Sequence, residues 1–152
     1  MNSVLDRFYS AFGRKDWATM NACYHPDARF DDPVFPDLDA QEVKAMWKML
    51  LSADGAMRST YKVLEESATK GACDWEAFYN FSKTGRPVHN IIHSEFELRD
   101  GLIFRQRDHF DFWRWSRQAL GMSGLLLGWT PIVKNKVRGI ARAGLERAMM
   151  KG

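Results

Sequence analysis

The hydrophobic period of this chain changes twice. Up to about residue 51 the apolar side chains recur every three or four positions. From Arg58 to Phe112 they alternate every second position, and after Trp113 the helical period returns. A chain patterned this way predicts helices, then a run of antiparallel strands, then helices again. That is an α+β domain rather than an alternating α/β one. At 152 residues it is one domain's length and enough to bury a core.

The first helix spans about 3–13. Ser3 and Asp6 give an S-x-x-D capping signature, and Val4, Leu5, Phe8, Tyr9 and Phe12 supply its apolar face. A second helix runs from Asp16 to about Tyr24, closed by His25-Pro26. A short extended stretch follows, 28–33, closed by Pro33. A third helix starts at Asp39, with Glu42 three residues on and Val43, Met46, Trp47, Leu50 and Leu51 on its buried face. Four strands are expected at 58–66, 72–82, 87–98 and 102–112, with turns at Gly71, Thr84-Gly85 and Asp100-Gly101. A helix at 113–120, a glycine-punctuated apolar loop at 121–131 and a final basic helix at 132–150 complete the chain. The expected architecture is a cone: a curved antiparallel sheet packed against the N-terminal helices around a pocket. Residues 1–116 form the pocket domain and 117–152 a helical extension, on the same domain or on a second subunit.

The last two strands share an apolar face if Arg99-Asp100-Gly101 forms a three-residue loop. Phe96 then faces Phe104 and Glu95 faces Arg105, with Leu102 and Phe104 inward. The preceding turn sets Tyr79 beside Asn90 and Trp75 beside Ser94. Four polar residues, Asn90, Ser94, Gln106 and Asp108, lie on this apolar face. Burying an unpaired amide or carboxylate is expensive, so such a cluster is either a satisfied core network or the lining of a wet pocket. Asp108, between Gln106 and Phe110, points to function more strongly than the others. Asp32, before Pro33 and among Phe30, Val34 and Phe35, reads equally as a turn aspartate or a functional acid, with Asp31 turned to solvent.

His89, His93 and His109 fall on the outer face of the sheet as a solvated or interface ladder, not a metal site. Cys23 and Cys73, far apart, read as two buried thiols of a reducing cytoplasm. The N-terminus lacks a signal-peptide pattern, and no apolar run is long enough to cross a membrane. No metal and no nucleotide cofactor is expected, because no glycine-rich phosphate loop is present. The net charge of +3 is uneven: residues 117–152 hold seven Lys or Arg against one acid, Glu146. A basic tail on a mildly acidic body does not fit a nucleic-acid reader. The final helix reads as packed on the domain or a partner rather than on a membrane surface. The Leu125–Trp129 loop is expected to close the pocket mouth or join a dimer interface.

Tyr24-His25-Pro26-Asp27-Ala28, Phe30-Asp31-Asp32-Pro33, Arg99-Asp100-Gly101-Leu102-Ile103 and Arg107-Asp108-His109-Phe110-Asp111 resemble the nuclear transport factor 2-like superfamily over residues 3–116. The pattern is similar to its SnoaL-like members, ketosteroid isomerase and limonene epoxide hydrolase among them. The resemblance implies the cone fold. A homodimer through the outer sheet face is also expected. It places Asp32 where the isomerases keep their general base, and Asp108 where the epoxide hydrolases keep their second aspartate. The isomerases' oxyanion donors fall near Phe8 and Ser94, and the hydrolases' arginine and first aspartate near Trp75 and Ala77, so neither template is complete.

The expected site is composite. Asp32 acts as base and Asp108 as acid or water-orienting group across an aromatic cavity. Asn90, Tyr79, Gln106 and Ser94 orient a carbonyl or hydroxyl, and Trp47, Trp75, Ile92 and Phe110 supply apolar walls. The expected activity is a cofactor-independent isomerase, hydratase/dehydratase or hydrolase acting on a small hydrophobic oxygenated molecule. The alternatives are a non-catalytic binder of a lipophilic ligand and a dimeric interaction module that uses the outer sheet face and the basic tail.

Overall fold

The computed structural model describes residues 3–53 and 55–151. In chain order the elements are α1 (Val4–Gly13), α2 (Trp17–Ala22), β1 (Tyr24–Asp31), β2 (Leu38–Asp39), α3 (Ala40–Ser52) and β3 (Met57–Glu66). β4 (Lys70–Asn80), β5 (Pro87–Arg99), β6 (Leu102–His109), α4 (Phe112–Leu120), α5 (Met122–Leu127) and α6 (Pro131–Met150) follow. The strands form one six-stranded sheet in the order β2-β1-β6-β5-β4-β3, curved and unclosed. The expected α+β architecture is present. Its helix starts are capped as anticipated: Ser3 Oγ accepts from the Asp6 amide at 2.9 Å. Asp39 and Glu42 close a full capping box.

Three local expectations are corrected. First, the chain after α2 is already strand at Tyr24. β1 passes through His25-Pro26 and pairs parallel to β6, with its irregularity between Tyr24 and Arg29. Proline is tolerated there because it sits where the ladder is interrupted. Second, the β5–β6 hairpin turns on two residues, not three. Asp100 and Gly101 both have positive φ, 56° and 74°, as a type I′ turn requires. A bulge at Phe104 then restores the phase: Leu98 pairs with Ile103, but Glu97 pairs with Arg105. Ile103 is therefore the buried residue, whereas Phe104, expected inward, lies under the Arg99 guanidinium at 3.8 Å. Phe96 faces Gln106, and Glu95 faces Arg107. Third, Tyr79 pairs with Val88, Ala77 with Asn90 and Trp75 with Ile92, two positions from the expected register. The turn closes earlier, with Phe81 N donating to Arg86 O at 2.8 Å. An even shift keeps every side chain on its expected face.

Aromatic side chains pack between the helices and the sheet. Phe8 meets Trp47 edge-on with ring centres 6.0 Å apart, and Phe12 meets Trp75 at 5.0 Å. Both cysteines are buried and free. α6 packs on α3: Leu145 is fully buried, and the Arg142 guanidinium reaches Glu42 at 2.5 Å. Among the described residues, no helix is long and apolar enough to cross a membrane.

Residues 122–127, expected as loop, form α5, which lies backbone-close on α4. A Cβ at Gly124 would stand 1.9 Å from Ser116 O, and one at Gly128 would stand 2.0 Å from Ser116 Oγ. No side-chain rearrangement relieves a collision with a carbonyl. Gly124→Ala is expected to push α5 off α4 and cost about 1–3 kcal/mol. Limited proteolysis would then show faster cleavage within 121–131 than in wild type.

Candidate active site

Asp108 lies on the inward face of β6, buried, and both hydrogen bonds to it fall on Oδ1. Ser94 Oγ donates at 2.6 Å from β5, and Gln106 Nε2 donates at 3.1 Å. The network extends in both directions. Trp75 Nε1 donates to Ser94 Oγ at 2.7 Å, so these two meet diagonally although they are not paired. Tyr24 Oη donates to Gln106 Oε1 at 2.5 Å and accepts from Trp47 Nε1 at 2.8 Å. Trp47 and Trp75 thus contribute N–H donors as well as apolar walls. Burial pushes the Asp108 carboxyl up to about 7. The Ser94 and Gln106 hydrogen bonds and His93 pull it down, while the Asp32 charge pushes it up.

Asp32 follows directly on β1. Because Phe30 pairs with Gln106 and Asp31 with Arg107, continuing that register sets Asp32 alongside Asp108 on the inward side. Asp31 is exposed, as expected. Asp32 Oδ1 accepts from the amides of Val34 (2.7 Å) and Phe35 (2.6 Å), the turn arrangement that an aspartate before proline favours. All its side-chain hydrogen bonds are on Oδ1, which leaves Oδ2 without one among the described residues. Burial pushes this carboxyl up to about 6. The Phe35 and Val34 amides pull it down, Asp31 raises it and Arg138 lowers it. Arg138 arrives from α6, its Nε donating to Pro33 O at 2.8 Å.

The other expected residues divide. Asn90 is buried and inward, and its side-chain amide makes no hydrogen bond among the described residues. Tyr79 Oη accepts from Trp115 Nε1 of α4 at 2.9 Å and feels the Asp32 charge. Ile92 is buried opposite Trp75, and Phe110 is partly buried between the main core and the smaller cluster under α4. Tyr9, Tyr24 and Trp115 had no place in the expected site. Tyr24 was hidden by its reading as a helix exit. Tyr9 and Phe8 both point inward from α1. The Tyr9 hydroxyl is fully buried and feels Asp108 and Ser94, yet no hydrogen bond to it closes.

A concavity of about 740 Å³ lies on the outer sheet face, lined by residues such as Thr60, Asp74, Ile91 and His93. Another, about 450 Å³, lies between the β1–α3 connection and α6. Neither is lined by Asp32 or Asp108. The outer-face histidines form carboxylate pairs: His89–Glu76 and His93–Asp74 at 2.6 Å, and His109–Glu95 at 2.8 Å. No group of three metal-ligating side chains occurs among the described residues.

Both site acids hold protons more tightly folded than unfolded. The stability this brings is full below about pH 4 and is lost as pH rises through about 6 and 7. Asp108→Asn removes one of the two titrations. The fall in melting temperature between pH 5 and pH 8 is expected to be smaller in that variant than in wild type, measured by thermal denaturation.

Comparison with known proteins gives a consistent picture of the fold. Residues 5–106 match the SnoaL-like domain family. A provisionally named polyketide cyclase from Silicibacter sp. superposes with a TM-score of 0.68 at 21% identity, covering 76% of this chain and 92% of that one. A provisionally named isomerase from Bacillus subtilis gives 0.64 at 20% identity, covering 80% and 96%. An epoxide hydrolase of M. tuberculosis resembling limonene epoxide hydrolase gives 0.60 at 17% identity, covering 81% and 92%. No curated protein matches the chain in sequence.

Proposed function

The chain belongs to the SnoaL-like domain family, and from that premise we propose that it is a cofactor-independent enzyme. It performs aspartate acid/base chemistry, as an isomerase, hydratase/dehydratase or hydrolase, on a small hydrophobic oxygenated molecule. The observation that carries this reading is the pair of inward carboxyls. Asp32 and Asp108 lie on adjacent strands, within each other's electrostatic reach, each with its hydrogen bonds confined to one oxygen.

Asp32, the more acidic, is mostly ionised at neutral pH and takes a proton from carbon or from water through Oδ2. Asp108, still partly protonated there, delivers one to the oxygen where charge develops. Asn90 and Tyr79 orient that oxygen. The names borne by the structural relatives, cyclase, isomerase and epoxide hydrolase, are compatible with this chemistry and do not choose among its versions. Trp75 and Ala77 offer no arginine–aspartate pair, which disfavours epoxide opening by that route.

A second reading, a binding protein, is favoured by the incomplete templates: Phe8 stands near the isomerases' tyrosine donor and Trp75 near the hydrolases' arginine, and neither side chain can do that work. A mass-spectrometric turnover screen over lipophilic enones, epoxides and hydroxy-ketones separates the two. Product supports the enzyme. Ligand-induced thermal stabilisation without product in any class supports the binder.

A further inference from the structure

α5 is turned inside out. Its docked face is Gly124, packed with Gly128 against Ser116, and its large side chains point away from the protein. Leu126 is 60% exposed, Trp129 71% and Ile132 77%, with Leu125 and Leu127 about half exposed between them. A contiguous apolar knuckle of this kind marks a docking surface.

Two further observations say what it docks on. The first is hydrogen bonding. The last carbonyls of a helix normally turn to water. Here Leu125 O accepts from Trp113 Nε1 at 3.3 Å and Leu126 O from Trp129 Nε1 at 3.0 Å. Leu127 O accepts from Thr130 Oγ1 at 2.5 Å and from its amide at 2.9 Å. The knuckle satisfies these carbonyls from within, the condition for leaving water for a lipid phase. The second is charge. From Phe112 to Leu145 the chain holds six bases and no acid. Arg138 and Arg142 are held inward by Pro33 O and Glu42. Arg117, Lys134 and Lys136 have no carboxylate partner among the described residues, and the Arg117 guanidinium lies over the Trp113 ring at 4.2 Å.

We propose that the α5 knuckle and its flanking cations dock this protein on the surface of an anionic phospholipid membrane. Leu126, Trp129 and Ile132 insert at the headgroup boundary, and Arg117, Lys134 and Lys136 meet lipid phosphates. This differs from the sequence expectation, in which the segment closes a pocket or a dimer. The inserting element is the short helix before the basic one, and its exposure follows from the glycine contact that no periodicity reveals. The inference is independent of the proposed catalysis.

The test uses the full chain and two sets of vesicles, phosphatidylcholine alone and phosphatidylcholine with phosphatidylglycerol. Wild type is expected to co-sediment with the anionic vesicles and not the neutral ones, less so as salt rises. Leu126→Glu, and separately Lys134→Glu with Lys136→Glu, are expected to lower partitioning at least about tenfold with circular dichroism unchanged. Equal binding of wild type and Leu126→Glu, or no binding of wild type to anionic vesicles at low salt, overturns the proposal. So does a wild-type dimer that Leu126→Glu dissociates in ultracentrifugation while neither form binds vesicles, because the knuckle is then a contact between copies.

Discussion

Asp32→Asn is expected to lower turnover about 10²–10⁴-fold on whichever substrate the screen identifies, with the melting temperature close to that of wild type. The substitution is nearly isosteric. An asparagine Oδ1 still accepts from the Val34 and Phe35 amides, so the turn that follows β1 survives. What disappears is the anionic oxygen on the other side of the group, the one with no hydrogen bond to lose. Steady-state kinetics with purified variants measures the effect. A variant retaining more than about a tenth of wild-type kcat/KM rules Asp32 out as the base, and the aspartate is then a turn residue alone. Arg138→Gln offers a control from the far end of the chain. It keeps a donor for Pro33 O but removes the positive charge that lowers the Asp32 pKa. The acid limb of the pH–rate profile is expected to move to higher pH, and a purely structural role for Arg138 predicts no such movement.

Tyr24→Phe is expected to cost about 2–4 kcal/mol of stability, a large loss for the removal of a single atom. The Tyr24 hydroxyl donates to Gln106 Oε1 and accepts from Trp47 Nε1, and its removal orphans both inside the core. Each orphan keeps its desolvation penalty without its partner, which is why the loss exceeds the worth of one hydrogen bond. Chemical denaturation of the two proteins measures it. A loss under about 1 kcal/mol means that water reaches the network. Because Gln106 also donates to Asp108, the same variant is expected to alter the pH dependence of catalysis, which a merely packed tyrosine would not do.

The faces of the strands were legible from alternation alone, and Asn90, Ser94, Gln106 and Asp108 all point inward as the pattern demands. Alternation carries parity, and parity survived two mistaken registers, because one error was an even shift and the other was compensated by the bulge at Phe104. Contacts that depend on register rather than parity were not legible. The diagonal Trp75–Ser94 bond and the Tyr24–Gln106 bond need the actual offset of neighbouring strands. Nor could β1 be read as a strand through Pro26, since its pairing partner lies far along the chain. Alternation also shows which side chains face inward, not whether their volumes leave a gap. The Leu125–Trp129 segment was legible as apolar, and its pattern suggested a loop that covers a pocket or a dimer interface. Its outward turn depends on a backbone approach at Gly124 so close that an added Cβ would stand 1.9 Å from Ser116 O, a contact that periodicity does not encode.

The parallel pairing of β1 with β6 has a consequence for how the chain is made. Tyr24 and Gln106 are 82 positions apart, and Arg138 is 105 positions beyond the Pro33 carbonyl it caps. On the ribosome, α1, β1 and α3 emerge first and find no sheet to cover. The β3–β6 hairpins close by short loops, whereas β1 must wait for the last strand and then for α6. During that interval Phe8, Tyr9, Phe12 and Trp47, the aromatic heart of the finished core, are exposed together. Nascent chains stalled before residue 110 are therefore expected to be the aggregation-prone and chaperone-bound species, and release of the C-terminal third is the event that folds the beginning of the protein.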